Sequence, residues 1–186
     1  MADNLVLNPS FEVDSNSDGL ADNWTLSETV AGAVTLTRVA GLFGSYAQRV
    51  QYTGEATDAN RYCRILSDLS AVGSVAEGDA LYFSAWVKQN SGAVTYTCAP
   101  AVYTAADAYI AGAPLTSFTI TSTDWVLLSF CWPSLPANSS RARMIIGVNA
   151  AIDNTDVVDY TVEGVTLYAN LPVLGYSQYP VIGGAR

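Results

Sequence analysis

The chain predicts an all-β, two-layer sandwich of the jelly-roll kind, and three observations carry that prediction. Apolar and polar side chains alternate with period 2 nearly end to end. Gly, Asn, Asp and Ser punctuate the gaps between these runs. No window of a dozen residues has the spacing of an amphipathic helix. With 186 residues the chain suits one well-cored domain, in which each sheet buries one face against the other.

Taken in order, Asn4-Leu5-Val6-Leu7-Asn8-Pro9-Ser10-Phe11-Glu12 reads as a short strand. It feeds an oxygen-rich loop, Asp14-Ser15-Asn16-Ser17-Asp18-Gly19-Leu20-Ala21-Asp22, that ends at Trp24. Strands are expected over 33–39, 46–52 and 62–66. The clearest is Leu81-Tyr82-Phe83-Ser84-Ala85-Trp86-Val87-Lys88. Its alternation puts Leu81, Phe83, Ala85 and Val87 on one face and Tyr82, Ser84, Trp86 and Lys88 on the other. Further strands are expected over 94–103, 118–121, 125–132, 143–148 and 157–168. The domain thus occupies residues 1–169, and 170–186 form an extended apolar tail. Termini without structure are usually polar, whereas this one offers Leu, Val, Ile and two tyrosines with a single charged side chain. It is expected to pack either on its own domain or, as an intersubunit arm, on the sheet edge of a neighbour.

The oxygen side chains of the first loop admit two readings. Asp14, Asn16 and Asp18 alternate, Gly19 follows, and Asp22 stands at the ninth position, a pattern suited to a hard cation such as calcium. The twelfth position is Thr25, so the bidentate glutamate of an EF-hand is absent. The other reading is an Asx-rich turn whose side chains bond their own backbone.

Composition excludes several function classes. A net charge of −9 with eight Lys plus Arg disfavours nucleic acid, whose affinity comes from clustered cations. Arg141 and Arg143, on one candidate strand, are expected to meet carboxylates of their own fold. No segment approaches the roughly 20 apolar residues of a membrane helix, and no basic amphipathic helix is visible. Met1-Ala2-Asp3-Asn4 lacks the positive start of a signal peptide, which predicts a chain kept in the cytoplasm that made it or a piece of something exported. Charged residues make up only 13%, so much of the surface is Ser, Thr, Asn and small apolar side chains, suited to packing against neighbours.

With no histidine there is no Ser-His-Asp triad, no Cys-His pair and no imidazole zinc site. Glycine-rich phosphate cradles are also absent. Asp153, Asp156 and Asp159 read as solvated turn residues rather than a glycosidase pair. The chain is therefore expected to be non-enzymatic. Cys63, Cys98 and Cys131 each fall in a candidate strand and read as free, buried thiols; one bridge remains open in an oxidising environment.

The ordered set of the opening Asn4 to Glu12 with Trp24, Tyr82-Phe83-Ser84-Ala85-Trp86-Val87-Lys88, Ser122-Thr123-Asp124-Trp125 and Tyr160-Thr161-Val162-Glu163-Gly164-Val165-Thr166-Leu167 resembles the carbohydrate-binding modules of families 4, 9 and 22. The resemblance runs from about residue 4 to 169 and implies a galactose-binding-like jelly roll. It implies a structural calcium held by Glu12 and Glu163, where family members usually carry Asp at the second position. It also implies a glycan platform in which a pyranose stacks on rings. Trp86 holds the strand position where the family often places such a ring, with Tyr82 beside it and Tyr103 and Tyr96 as weaker partners.

Two functions follow as expectations. In the first, the chain is a structural protein on the surface of a phage particle, such as a capsid decoration, head fibre or tail-adhesion unit. It would contact major capsid or tail subunits, touch host-surface glycan, and form a homo-oligomer, with trimers as the model. In the second, it is an extracellular module that tethers a secreted glycoside hydrolase to polysaccharide.

Overall fold

The computed structural model describes residues 3–28, 34–52, 63–91, 95–113, 117–119, 122–148 and 158–170, with backbone alone at 95, 96 and 117–119. Among the described residues there is no helix. Those residues include eleven strands, in two antiparallel sheets. They are β1 (Trp24–Glu28), β2 (Val34–Ala40), β3 (Tyr46–Tyr52), β4 (Cys63–Ser67), β5 (Leu81–Ser91), β6 (Thr95–Tyr103), β7 (Tyr109–Gly112), β8 (Ser117–Thr119), β9 (Val126–Trp132), β10 (Arg141–Val148) and β11 (Val158–Ala169).

The first sheet has the order β1-β4-β10-β6-β7, with β8 also pairing β6. The second has the order β2-β3-β11-β5-β9. The expected sandwich is what forms, because strict alternation leaves each strand one apolar face to hide. In β5, Leu81, Phe83, Ala85 and Val87 are buried while Tyr82, Ser84, Trp86 and Lys88 are half-exposed. From the opposite sheet, Ile65, Cys98, Val102, Met144 and Ile146 join them in a single core. The Tyr160 hydroxyl crosses between the layers and donates to the Ile146 carbonyl at 3.2 Å.

Two strands went unread in the sequence. β1 and β7 are five and four residues long, too short for alternation to stand out against a loop. The opening segment is the converse case: it was expected to be a strand and is an irregular lace. Asn8 and Phe11 adopt positive φ, 47° and 59°, which breaks any ladder. The segment nevertheless lies along β11. Leu5 N donates to Leu167 O at 2.8 Å, Val165 N donates to Pro9 O at 2.9 Å, and the Asn4 amide bridges the Val165 carbonyl and the Leu167 N–H. Phe11 is thereby driven into the core, its ring 4.8 Å from that of buried Trp24, whose indole N–H donates to Asn8 O.

β11 is followed by Asn170, which takes a left-handed turn (φ 50°) and exchanges backbone and side-chain bonds with Ala80 and Asp79. The rest of the expected tail, 171–186, lies outside the described residues. Cys63, Cys98 and Cys131 form no disulfide with one another, and the first two are buried. Burial pushes the Cys98 thiol up to about 12, and burial together with the nearby Glu28 charge does the same for Cys63.

Two outcomes follow. Phe11→Ala should cost about 3–5 kcal/mol in urea unfolding, because it empties a fully buried ring site. A thiol reagent applied to the native protein should modify Cys131 first and reach Cys63 and Cys98 only after denaturation, as intact-mass measurements would read directly.

Candidate functional site

Three of the residues expected to form one glycan platform, Trp86, Tyr82 and Tyr103, are divided between the two sheets. Trp86 and Tyr82 stand on β5 in the second sheet, and Tyr103 closes β6 in the first. Tyr96 also lies on β6, its side chain outside the description. No single ligand ring can therefore bridge the four.

On the second sheet, the Trp86 ring is used in packing. Phe43 meets it edge-on at 5.4 Å, and both rings roof Gly164, where a β-bulge (φ 60°) interrupts β11. Lys88 stands 5.0 Å over the Trp125 ring. Ser84 and Thr166 share a hydroxyl hydrogen bond at 2.8 Å. Further along this face, Asp159 is buried rather than solvated as its sequence neighbours suggested, because it sits within β11 facing β3. Arg49 grips it bidentately at 2.9 and 2.6 Å, and Asn90 and Gln51 add bonds. Asp153 and Asp156 lie outside the described residues.

On the first sheet, Tyr103 and Tyr109 meet edge to face with centroids 5.7 Å apart. Tyr109 comes from β7, folded back on β6 by the turn through Asp107 (φ 63°), and its ring is 62% exposed. The Arg143 guanidinium lies 5.2 Å over the Tyr103 ring, and its buried Nε has no hydrogen-bond partner. Arg141, opposite Tyr103 in the ladder, pairs with Asp107 and donates to the Ser70 carbonyl. Of the two arginines singled out by sequence, Arg141 thus meets a carboxylate and Arg143 an aromatic face. An exposed flat ring such as Tyr109 offers a surface on which the C–H face of a sugar can stack. Tyr109 escaped notice in the sequence because its strand was not visible.

The expected metal ligands fall into two groups. Around the first loop, Ser15 N–H donates to Asp22, Gly19 N–H to Asp14, and Leu20 N–H to Asp18; Asn16 and Asp18 bond each other. The bonds to Asp18 from Leu20 N–H and to Asn16 from Asp18 N–H are Asx turns, and those to Asp14 and Asp22 close the loop on itself. Gly19 (φ 88°) is needed because a Cβ there would press on the Leu36 carbonyl. Gln48, fully buried, accepts from Ala21 N–H and donates to Gly19 O, which pins the loop to the sandwich. Asp14 pairs with Arg38 at 3.4 Å and keeps one buried oxygen, Oδ1, without a partner.

Glu12 and Glu163 do converge, on the turn between β2 and β3. The fully buried Glu163 carboxylate accepts N–H bonds from Leu42, Phe43 (3.0 Å) and Gly44 (2.9 Å). Glu12 accepts from Tyr46 N–H at 3.1 Å. A Cβ on Gly44 would collide with Glu12 Oε1. Among the described residues, no three acidic or cysteine side chains gather as a metal cluster would require.

No family model and no curated protein sequence matches the chain. Solved structures do. The enzymatically active domain of bacteriophage CBA120 tailspike protein 4 superposes with a TM-score of 0.64 at 16% identity, over 89% of this chain and 21% of that one. The family 11 carbohydrate-binding module of a Clostridium thermocellum cellulosomal cellulase gives 0.58 at 14% identity, over 94% and 99%. The xylan-binding domain, a family 22 module, from Paenibacillus barcinonensis gives 0.55 at 15%, over 92% and 97%. The fold is the carbohydrate-binding-module jelly roll. This jelly roll spans about a fifth of the tailspike chain and nearly the whole of the two modules.

The Asp159 cluster yields a pH dependence. Burial pushes its carboxyl up, but the bonds from Arg49 and Asn90, with the Arg49 charge and Gln51, outweigh that and hold it below the usual carboxylate range. A depressed carboxyl contributes stability above its unfolded pKa, near 4, and loses it as pH falls through the folded value. Asp159→Asn should therefore cost about 2 kcal/mol at neutral pH. That difference should shrink as unfolding curves are recorded at progressively more acidic pH, below about 4.

Proposed function

We propose that this chain is a non-catalytic glycan-binding and structural protein of a phage particle, with its sugar site at the Tyr103–Tyr109 corner of the first sheet. The observation that carries the reading is the exposed Tyr109 ring, held edge to face against Tyr103 on the outer face of the first sheet. The pyranose would stack on Tyr109, whose ring Tyr103 braces edge to face. Likeness to a phage tailspike domain and to sugar-binding modules supports it. So does the absence of histidine, which removes the commonest acid–base and nucleophile-activating side chain.

The structural half of the proposal rests on the surface. The turn between β2 and β3 presents Leu42, Phe43 and Tyr46 outward, and Phe43 is 64% exposed. Such apolar tips suit contact with neighbouring subunits, including capsid or tail proteins and further copies of this chain in a trimer. The protein would then sit on the virion surface and perform adhesion rather than chemistry. A second reading, a module tethering a secreted glycoside hydrolase to polysaccharide, draws on the nearly complete coverage of the family 11 and family 22 modules.

Glycan arrays carrying bacterial envelope polysaccharides and plant polysaccharides separate the two readings, alongside light scattering for oligomeric state. Binding to envelope glycans by a defined oligomer is expected. A monomer retained only on plant polysaccharide selects the enzyme tether. In either case Tyr109→Ala should weaken binding about tenfold, on the order of 1.4 kcal/mol. Trp86→Ala should leave affinity intact and lower the melting temperature. Unchanged binding by Tyr109→Ala removes the proposed corner, and binding to no glycan removes the function.

A further inference from the structure

We infer that the meeting point of Glu12, Glu163 and the turn between β2 and β3 is a metal-independent clasp, closed by the protein's own ions where the family resemblance implies calcium. The argument begins with the sign of the groups around Glu163. Three consecutive backbone N–H groups, from Leu42, Phe43 and Gly44, converge on its carboxylate, two on Oε1 and one on Oε2. Successive amides arranged this way form a nest, and a nest presents positive dipole ends that select an anion. The anion is already in place, covalently attached to β11 and fully buried.

Calcium asks for the opposite surroundings. It takes six to eight oxygen ligands at about 2.3–2.6 Å, and a cation beside Glu163 would face those same N–H groups. The space is also taken. A Cβ on Gly41 would stand 2.8 Å from both Glu163 Oε1 and the Tyr46 carbonyl, and one on Gly44 would strike Glu12 Oε1. Two glycines are what allow the turn to close around the two carboxylates, leaving no shell for a further ion.

The positive charge of the region is supplied by Arg38. Its Nη1 donates to the Glu12 carbonyl at 3.0 Å, its Nε pairs with Asp14 at 3.4 Å, and its guanidinium lies 4.3 Å over the Tyr46 ring. The unpartnered Asp14 Oδ1 therefore has a fixed cation on the same carboxylate, which makes a divalent ion there redundant. Glu163 as resident anion and Arg38 as resident cation tie together three segments distant in sequence: the opening lace, the turn between β2 and β3, and β11.

Thermal melts of the purified chain in chelator and in millimolar calcium, with calorimetric calcium titration, test this directly. The melting temperature should agree between the two conditions within about 1 °C, and no stoichiometric binding heat should appear. A rise of about 5 °C or more, or one tightly bound calcium per chain, overturns the inference. Glu163→Gln places an amide N–H₂ against the nest, and Arg38→Met removes the cation while keeping the stem. Each should lower the melting temperature by several degrees in chelator, and a melt like that of the native chain overturns that half of the clasp. If a variant does not fold, the calcium titration of the unaltered chain still decides.

Discussion

Everything in this protein is organised about β11. It is the second sheet's central strand, with β3 on one side and β5 on the other. Its Tyr160 reaches across to Ile146 in the opposite layer, and the opening segment is laced along its second half. A strand in that position has no free edge, and over its first half even the outward side chains are buried. Asp159, Thr161 and Glu163 can be there only because each is met by donors from neighbouring elements. The polar satisfaction of one strand thus dictates where Arg49, Asn90 and the turn between β2 and β3 must lie.

The two outer faces come out differently from the same rule. On the second sheet Trp86 packs with Phe43 over the bulge at Gly164, and Trp125 lies under the Lys88 cation. On the first sheet the short hairpin of β6 and β7 leaves the Tyr109 ring projecting. Burial and pairing, rather than residue type, separate a ring that packs from one free to bind. Trp86 is the larger aromatic and Tyr109 the better placed.

Much of the architecture was legible beforehand. Alternation in β5 named its buried face residue by residue, and Glu12 and Glu163 were paired across 150 positions by resemblance alone before the structure brought them together. What the sequence obscured has physical causes. β1 and β7 are shorter than the window alternation needs, and the opening segment carries apolar residues without strand geometry, because positive φ at Asn8 and Phe11 turns Phe11 into the core. Asp159 looked solvated because its acidic neighbours 153 and 156 are typical of turns, and nothing local announces Arg49, 110 positions away.

By itself the sequence determined that this chain is a two-layer β-sandwich, since a period of two allows each strand only one buried face. Only the tertiary structure decided which sheet each strand joins. Period-2 patterning distinguishes inside from outside but not one layer from the other. Consecutive strands β5 and β6 enter opposite sheets, so Trp86 and Tyr103 face away from each other across the whole core. The same limit applies to charge: the residues name the carboxylates, and the fold alone determines that amide dipoles and Arg38, brought from other strands, are what those carboxylates meet.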